Sequence, residues 1–172
     1  MYKDKEQFKN QDKHEKKVKV IYIYGPVETE TVESVYAMHL RRNIYHVSPY
    51  RCMDIVSYHG EPVIILDEFY GSISIPYFID YCESPSKWEP ELCRKNVGPA
   101  YRTICIISTV PLEKQYLDIQ AYNPKLWEEF LSKIDQVRMF IPNRLVNIYK
   151  TIGQYFNRNK AFEEEDYDKD WY

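Results

Sequence analysis

Five consecutive apolar residues, Pro62-Val63-Ile64-Ile65-Leu66, run directly into Asp67-Glu68-Phe69-Tyr70-Gly71. An unbroken apolar run of this length reads as a strand buried on both faces, which is the habit of parallel sheets. A parallel strand needs a long crossover to its neighbour, so the rest of the chain must supply helices. Acids at the C-terminal end of such a strand lie where open α/β sheets hold their ligands. A carboxylate pair there suits a Mg²⁺ ion near a nucleotide phosphate, with the second acid orienting a water. A strand that simply ends in solvated acids reads the same way in isolation, so the flanking sequence has to decide.

The flanks alternate as a parallel sheet requires. Val18 to Tyr24 reads as a strand ended by Gly25-Pro26. Thr29 to Arg42 reads as a helix, with Val32, Val35, Tyr36 and His39-Leu40 at helical spacing and Arg41-Arg42 at its C-terminal end. A short strand is expected near Ile44 to Val47, then the opening strand, then a helix over Ile75 to Cys82 with Pro76 in its first turn. Ser84 to Glu91 reads as loop. Thr103 to Ser108 is a second wholly apolar strand, and Pro111 to Tyr116 a loop or short helix. Pro124 to Ile134 is amphipathic, with Leu126, Trp127, Phe130, Leu131 and Ile134 on one face. Val137 to Ile141 reads as a last strand and Arg144 to Phe156 as a last helix. The expectation is an α/β domain over residues 18–156, a mainly parallel sheet with helices on both faces. Residues 1–17 read as a polar lead-in or linker, and 157–172 as an acidic tail. Periodicity does not separate the Rossmann, flavodoxin-like and P-loop versions of this architecture.

Composition narrows the partners. At 172 residues the chain can bury a sizeable core, and a net charge of −3 excludes a uniformly basic nucleic-acid binder. Seventeen tyrosines are many, and an amphipathic core absorbs them more readily than a stacking surface does. Cys52, Cys82, Cys93 and Cys105 form no C-x-x-C pair and carry no zinc spacing, which points to reduced thiols in a cytoplasmic protein. No apolar run is long enough to span a membrane, so no membrane partner is expected. His59 beside Gly60 reads as a turn histidine, and Trp88 and Trp127 read as packing residues.

Tyr58 to Gly71 resembles the acid motif of the helicase half of Rep proteins, the superfamily 3 replication initiators of circular single-stranded DNA viruses and related plasmids. Three further stretches keep that family's order. Val20 to Pro26 is similar to its phosphate-loop strand, Thr103 to Tyr116 to its third motif, and Glu128 to Phe140 to its closing helix and strand. The resemblance spans roughly Lys17 to Phe140. It implies a three-layer, AAA+-like P-loop NTPase fold, assembly into rings, ATP with Mg²⁺, and 3′–5′ unwinding of DNA. It would make Asp67 the metal ligand, Glu68 the residue that polarises water, and Ser108-Thr109 the polar sensor. Arg94, Lys95 and Arg102 match the basic region that contacts single-stranded DNA, and Gly25, Pro26, Thr29 and Thr31 fall in the nucleotide-binding loop. Arg144 lies where a trans-acting arginine could stand, although a first-turn helix charge explains it as well.

The phosphate loop departs from this pattern. A P-loop reads G-x-x-x-x-G-K-[ST], whereas the chain from Gly25 reads G-P-V-E-T-E-T-V. Glu30 stands at the second glycine, Thr31 at the lysine, Val32 at the metal-binding hydroxyl, and Glu28 at a further family glycine. No lysine lies between Val20 and Leu40. A carboxylate about 4 Å from phosphate, at an effective dielectric of about 20, costs about 4 kcal/mol, or about a thousandfold in affinity. No His-hydrophobe-His pair precedes Val18, so the family's nicking chemistry is not expected. Three functions follow: a Rep helicase-like binding or structural module with weak or absent ATP hydrolysis, an active 3′–5′ helicase with a non-standard loop, or an unrelated α/β interaction module.

Overall fold

The computed structural model describes residues 18–26, 30–47, 58–83, 100–141 and 146–158. They form a three-layer α/β domain. The strands are β1 (Lys19–Tyr24), β2 (Ile44–Val47), β3 (Val63–Leu66), β4 (Thr103–Ser108), β5 (Gln136–Met139) and β6 (Asn147–Tyr149). The helices are α1 (Thr31–Met38), α2 (Ile75–Glu83), α3 (Leu117–Tyr122), α4 (Pro124–Lys133) and α5 (Ile152–Phe156). Sheet order is β2-β3-β4-β1-β5-β6, parallel throughout except for β6, which runs antiparallel to β5.

This order separates two of the architectures that periodicity leaves open. A Rossmann sheet (3-2-1-4-5-6) or a flavodoxin-like sheet (2-1-3-4-5) sets β1 beside β2. Here β1 lies between β4 and β5, and β4 stands between β1 and β3.

The apolar runs become central strands for the expected reason. Val20, Ile21, Tyr22 and Ile23 are all buried, as are five of the six residues of β4. Alternate side chains enter different cores. Val20, Tyr22, Ile64, Ile104 and Ile106 meet α2, α4 and α5 through Phe78, Phe130 and Tyr155. Ile21, Ile23, Val63, Ile65, Cys105 and Ile107 meet Val35 of α1 on the other face. Trp127 stacks on Phe130 at 5.3 Å between ring centroids, so its role is packing. Asn123 caps α4 by accepting the Leu126 N–H, and Pro124 opens the helix where its missing N–H costs nothing. Tyr22, Tyr58, Tyr81, Tyr101 and Tyr155 are buried, as an amphipathic core predicts.

Two expected elements differ. The helix over 29–42 is only Thr31–Met38: His39 turns extended, Leu40 is 60% exposed, and Arg41–Asn43 form a separate 3-10 turn. No apolar contact rewards a further turn at Leu40. The single helix over 144–156 is instead a strand and a short helix. Asn147–Tyr149 pairs with β5, and Thr151 then caps α5 by accepting the Gln154 N–H. The loop over 84–91, with Trp88, falls outside the described residues, as do Cys52 and Cys93. Cys82 and Cys105 are free thiols, both buried. Among the described residues no helix is long and apolar enough to cross a membrane.

Candidate functional site

Parallel strands end together, so the C-terminal ends of β3, β4 and β1 form one polar edge. Leu66 pairs with Ile106 and Tyr24 with Ser108. Asp67-Glu68, Ser108-Thr109 and Gly25-Pro26 therefore meet there. The acid segment stays tied to β4 after β3 ends. The Phe69 N–H donates to Ile107 O at 2.9 Å, and the Ser108 hydroxyl donates to Phe69 O at 2.6 Å. Glu68 takes a left-handed conformation (φ +48°) to make this turn. That backbone costs a non-glycine residue of order 1 kcal/mol, a cost found most often at functional sites.

A buried hub holds the three ends in register. Gln115 is 2% exposed, and its Nε2 lies 2.8 Å from Tyr22 Oη, 3.0 Å from Ser108 Oγ and 3.2 Å from Phe69 O. The Tyr22 hydroxyl in turn donates to Val110 O at 2.6 Å. Burial pushes the Tyr22 phenol up to about 12, against hydrogen bonds that favour the phenolate, so it remains a neutral donor at neutral pH. Thr109 is fixed from the other side by Tyr70, hydroxyl to hydroxyl at 3.0 Å.

Both carboxylate oxygens of Asp67 accept hydrogen bonds. Its Oδ1 accepts the Glu68 N–H at 2.8 Å, and its Oδ2 lies 2.9 Å from His46 Nε2. His46 Nδ1 lies 2.9 Å from the Tyr36 hydroxyl. Burial alone would raise the Asp67 pKa, but the hydrogen bonds from His46 and Glu68 N–H and the His46 charge outweigh it and hold it below the usual carboxylate range. Glu68 is exposed, and among the described residues nothing engages its carboxylate.

This arrangement does not fit the Mg²⁺ and ATP that the resemblance implies. Both Asp67 oxygens have partners, and among the described residues no group of three or more His, Cys, Asp and Glu side chains could hold a metal ion. The Gly25 N–H donates to Ser108 O at 3.1 Å, continuing the β1–β4 ladder one step past Tyr24. Thr31 is buried in the first turn of α1, where the matching lysine would have to reach outward. Glu30 precedes that helix and Glu33 lies in its first turn, so this N-terminus carries negative side chains that repel an anion.

The other expected site residues scatter. Arg102 precedes β4, its N–H bonded to Pro62 O and its carbonyl to the Lys19 N–H, at the opposite edge of the sheet. Thr29, Arg94, Lys95 and Arg144 lie outside the described residues. His59 sits in an exposed turn beside Gly60 (φ +97°), its N–H bonded to Glu61. His46, Tyr36 and Gln115 are the residues that sequence reasoning missed. Only His46 leaves a trace in the sequence, as a polar residue inside a short apolar strand. Neither a known family's model nor any curated protein matches the chain.

Proposed function

We propose that the chain is a Rep helicase-type domain that has lost phosphate handling and acts as a binding or structural module, with ATP hydrolysis weak or absent. One observation carries the reading. The acid pair, the polar sensor position and the end of the phosphate-loop strand lie on three adjacent parallel strands, in the order β3-β4-β1, yet the carboxylate that would meet Mg²⁺ is bonded to His46. The shared edge supports helicase ancestry. The Asp67–His46 contact, with glutamates where the loop needs glycine, supports the loss of catalysis. Single-stranded nucleic acid and a ring of like or unlike subunits are the partners this reading carries.

The test is a titration of a fluorescent ATP analogue with Mg²⁺ against the wild type and Asp67→Ala. No saturable binding by either below about 1 mM is expected, given the roughly thousandfold penalty of one misplaced carboxylate. Micromolar binding lost in Asp67→Ala, with steady turnover, would overturn the proposal and restore an active helicase. Anisotropy of a labelled oligothymidylate tests the other half. Salt-sensitive binding is expected, and its absence at low salt would favour a protein-interaction module.

A further inference from the structure

Tyr36, His46 and Asp67 come from three elements and form one chain of hydrogen bonds. Tyr36 belongs to α1, His46 to the edge strand β2, and Asp67 follows β3. Register makes the chain. His46 pairs with Ile65, so its side chain shares a sheet face with residue 67 and reaches diagonally across to it. An ionised carboxylate only accepts, so His46 Nε2 carries the hydrogen that faces Asp67. Nδ1 meets the Tyr36 hydroxyl, accepting from it in the neutral ring and donating to it in the imidazolium. Arg41 closes the outer side, its guanidinium carbon 4.8 Å from the centre of the Tyr36 ring.

We infer that His46 has taken the place of a divalent cation at Asp67, so that the acid anchors a Tyr36–His46–Asp67 brace instead of a metal. Asp67 Oδ2 accepts from His46 and Oδ1 from the Glu68 N–H, so a cation on the His46 side of this carboxylate must displace that hydrogen bond, and one elsewhere finds only the remaining lone pairs. The sequence lacks other parts of a nucleotide–metal site as well, since Val32 replaces the hydroxyl ligand and no lysine lies between Val20 and Leu40. A carboxylate left without its cation is stabilised by a new charge-assisted partner. The brace has structural value too. It pins β2, an edge strand of four residues, and α1 to the end of β3. The inference rests on Asp67 as the acid of the proposed domain, not on nucleotide binding.

Free Mn²⁺, followed by its electron paramagnetic resonance signal without nucleotide, tests this in the full chain. His46→Ala and the bulkier His46→Leu should bind Mn²⁺ at least about tenfold more tightly than wild type, because the competing charge-assisted hydrogen bond is gone. Tyr36→Phe should give a smaller gain, and Asp67→Asn added to His46→Ala should abolish it. A second readout needs no variant. The His46 Nε2 proton should give a downfield resonance that persists in millimolar Mg²⁺. Loss of that resonance on adding Mg²⁺, or His46 variants that bind Mn²⁺ no tighter than wild type, would overturn the inference. Weaker binding by those variants would make His46 a ligand. Because no nucleotide is present, this result is independent of the ATP titration.

Discussion

Gln115 does more for the candidate site than either acid does for it. Its side-chain amide faces acceptors from β1, β4 and the segment after β3, and it is buried. Gln115→Leu keeps the bulk and removes the donors. The acceptors keep other partners, since Tyr22 still donates to Val110 O and Ser108 still donates to Phe69 O. Urea denaturation should therefore register a loss of about 1–3 kcal/mol, the cost of stripping hydrogen bonds from buried polar groups. The turn after Leu66 is similarly constrained. Gly71 takes φ +70°, and a Cβ there would meet the Tyr116 ring at 3.2 Å. That ring is fixed in turn by its hydroxyl on Ile73 O.

At the scale of elements, α5 is too short to be stable alone and depends on its attachments. Arg158 and the Tyr155 hydroxyl both donate to Glu113 in the 3-10 turn after β4, and the Arg158 guanidinium lies 4.1 Å over the Tyr155 ring. Burial would raise the Glu113 pKa, but the hydrogen bonds from Tyr155 and Arg158 prevail and it is lowered from its ordinary 4.5. The sign follows directly. A carboxylate with a lower pKa folded than unfolded adds stability above the unfolded value and loses it as pH falls through the folded one. Melting temperature should thus drop with acidification below about pH 4.5, and Glu113→Gln should flatten that part of the curve while lowering its plateau. Pairing with β5 explains why the segment expected as one helix is broken. Ile148 and Tyr149 extend along β5, and the Thr151 cap restarts the helix only afterwards.

Across the whole molecule the two faces of the sheet are unequal among the described residues. One is covered by α2, α4 and α5 around Phe78, Phe130 and Tyr155, the other by α1 through Val35. A helix of eight residues with so small an apolar footing opens without the rest of the fold. Native-state hydrogen exchange should find the amides of α1 exchanging by local opening, while those of β1, β4 and α4 exchange only with global unfolding. Equal protection in α1 and α4 would contradict this. Cys105 gives a chemical counterpart. Burial pushes its thiol up to about 11, so it stays unreactive in the folded sheet.

Much of this architecture is legible in the sequence. β1, β3 and β4 announce themselves as apolar runs, and α4 as an amphipathic stretch with its own cap, because each depends on neighbours within a few residues. The acid pair at the end of β3 is legible for the same reason. The sheet order is not, since nothing local states that β4 slips between β1 and β3. Nor is the state of Asp67. Its partner His46 is 21 residues away, and Gln115 reaches Tyr22 across 93. Such pairs exist only once strands are in register. Local composition marks the residues that could form a metal-and-phosphate edge. That a histidine holds the acid there follows from strand register, because a hydrogen bond is set by distance in space and not along the chain.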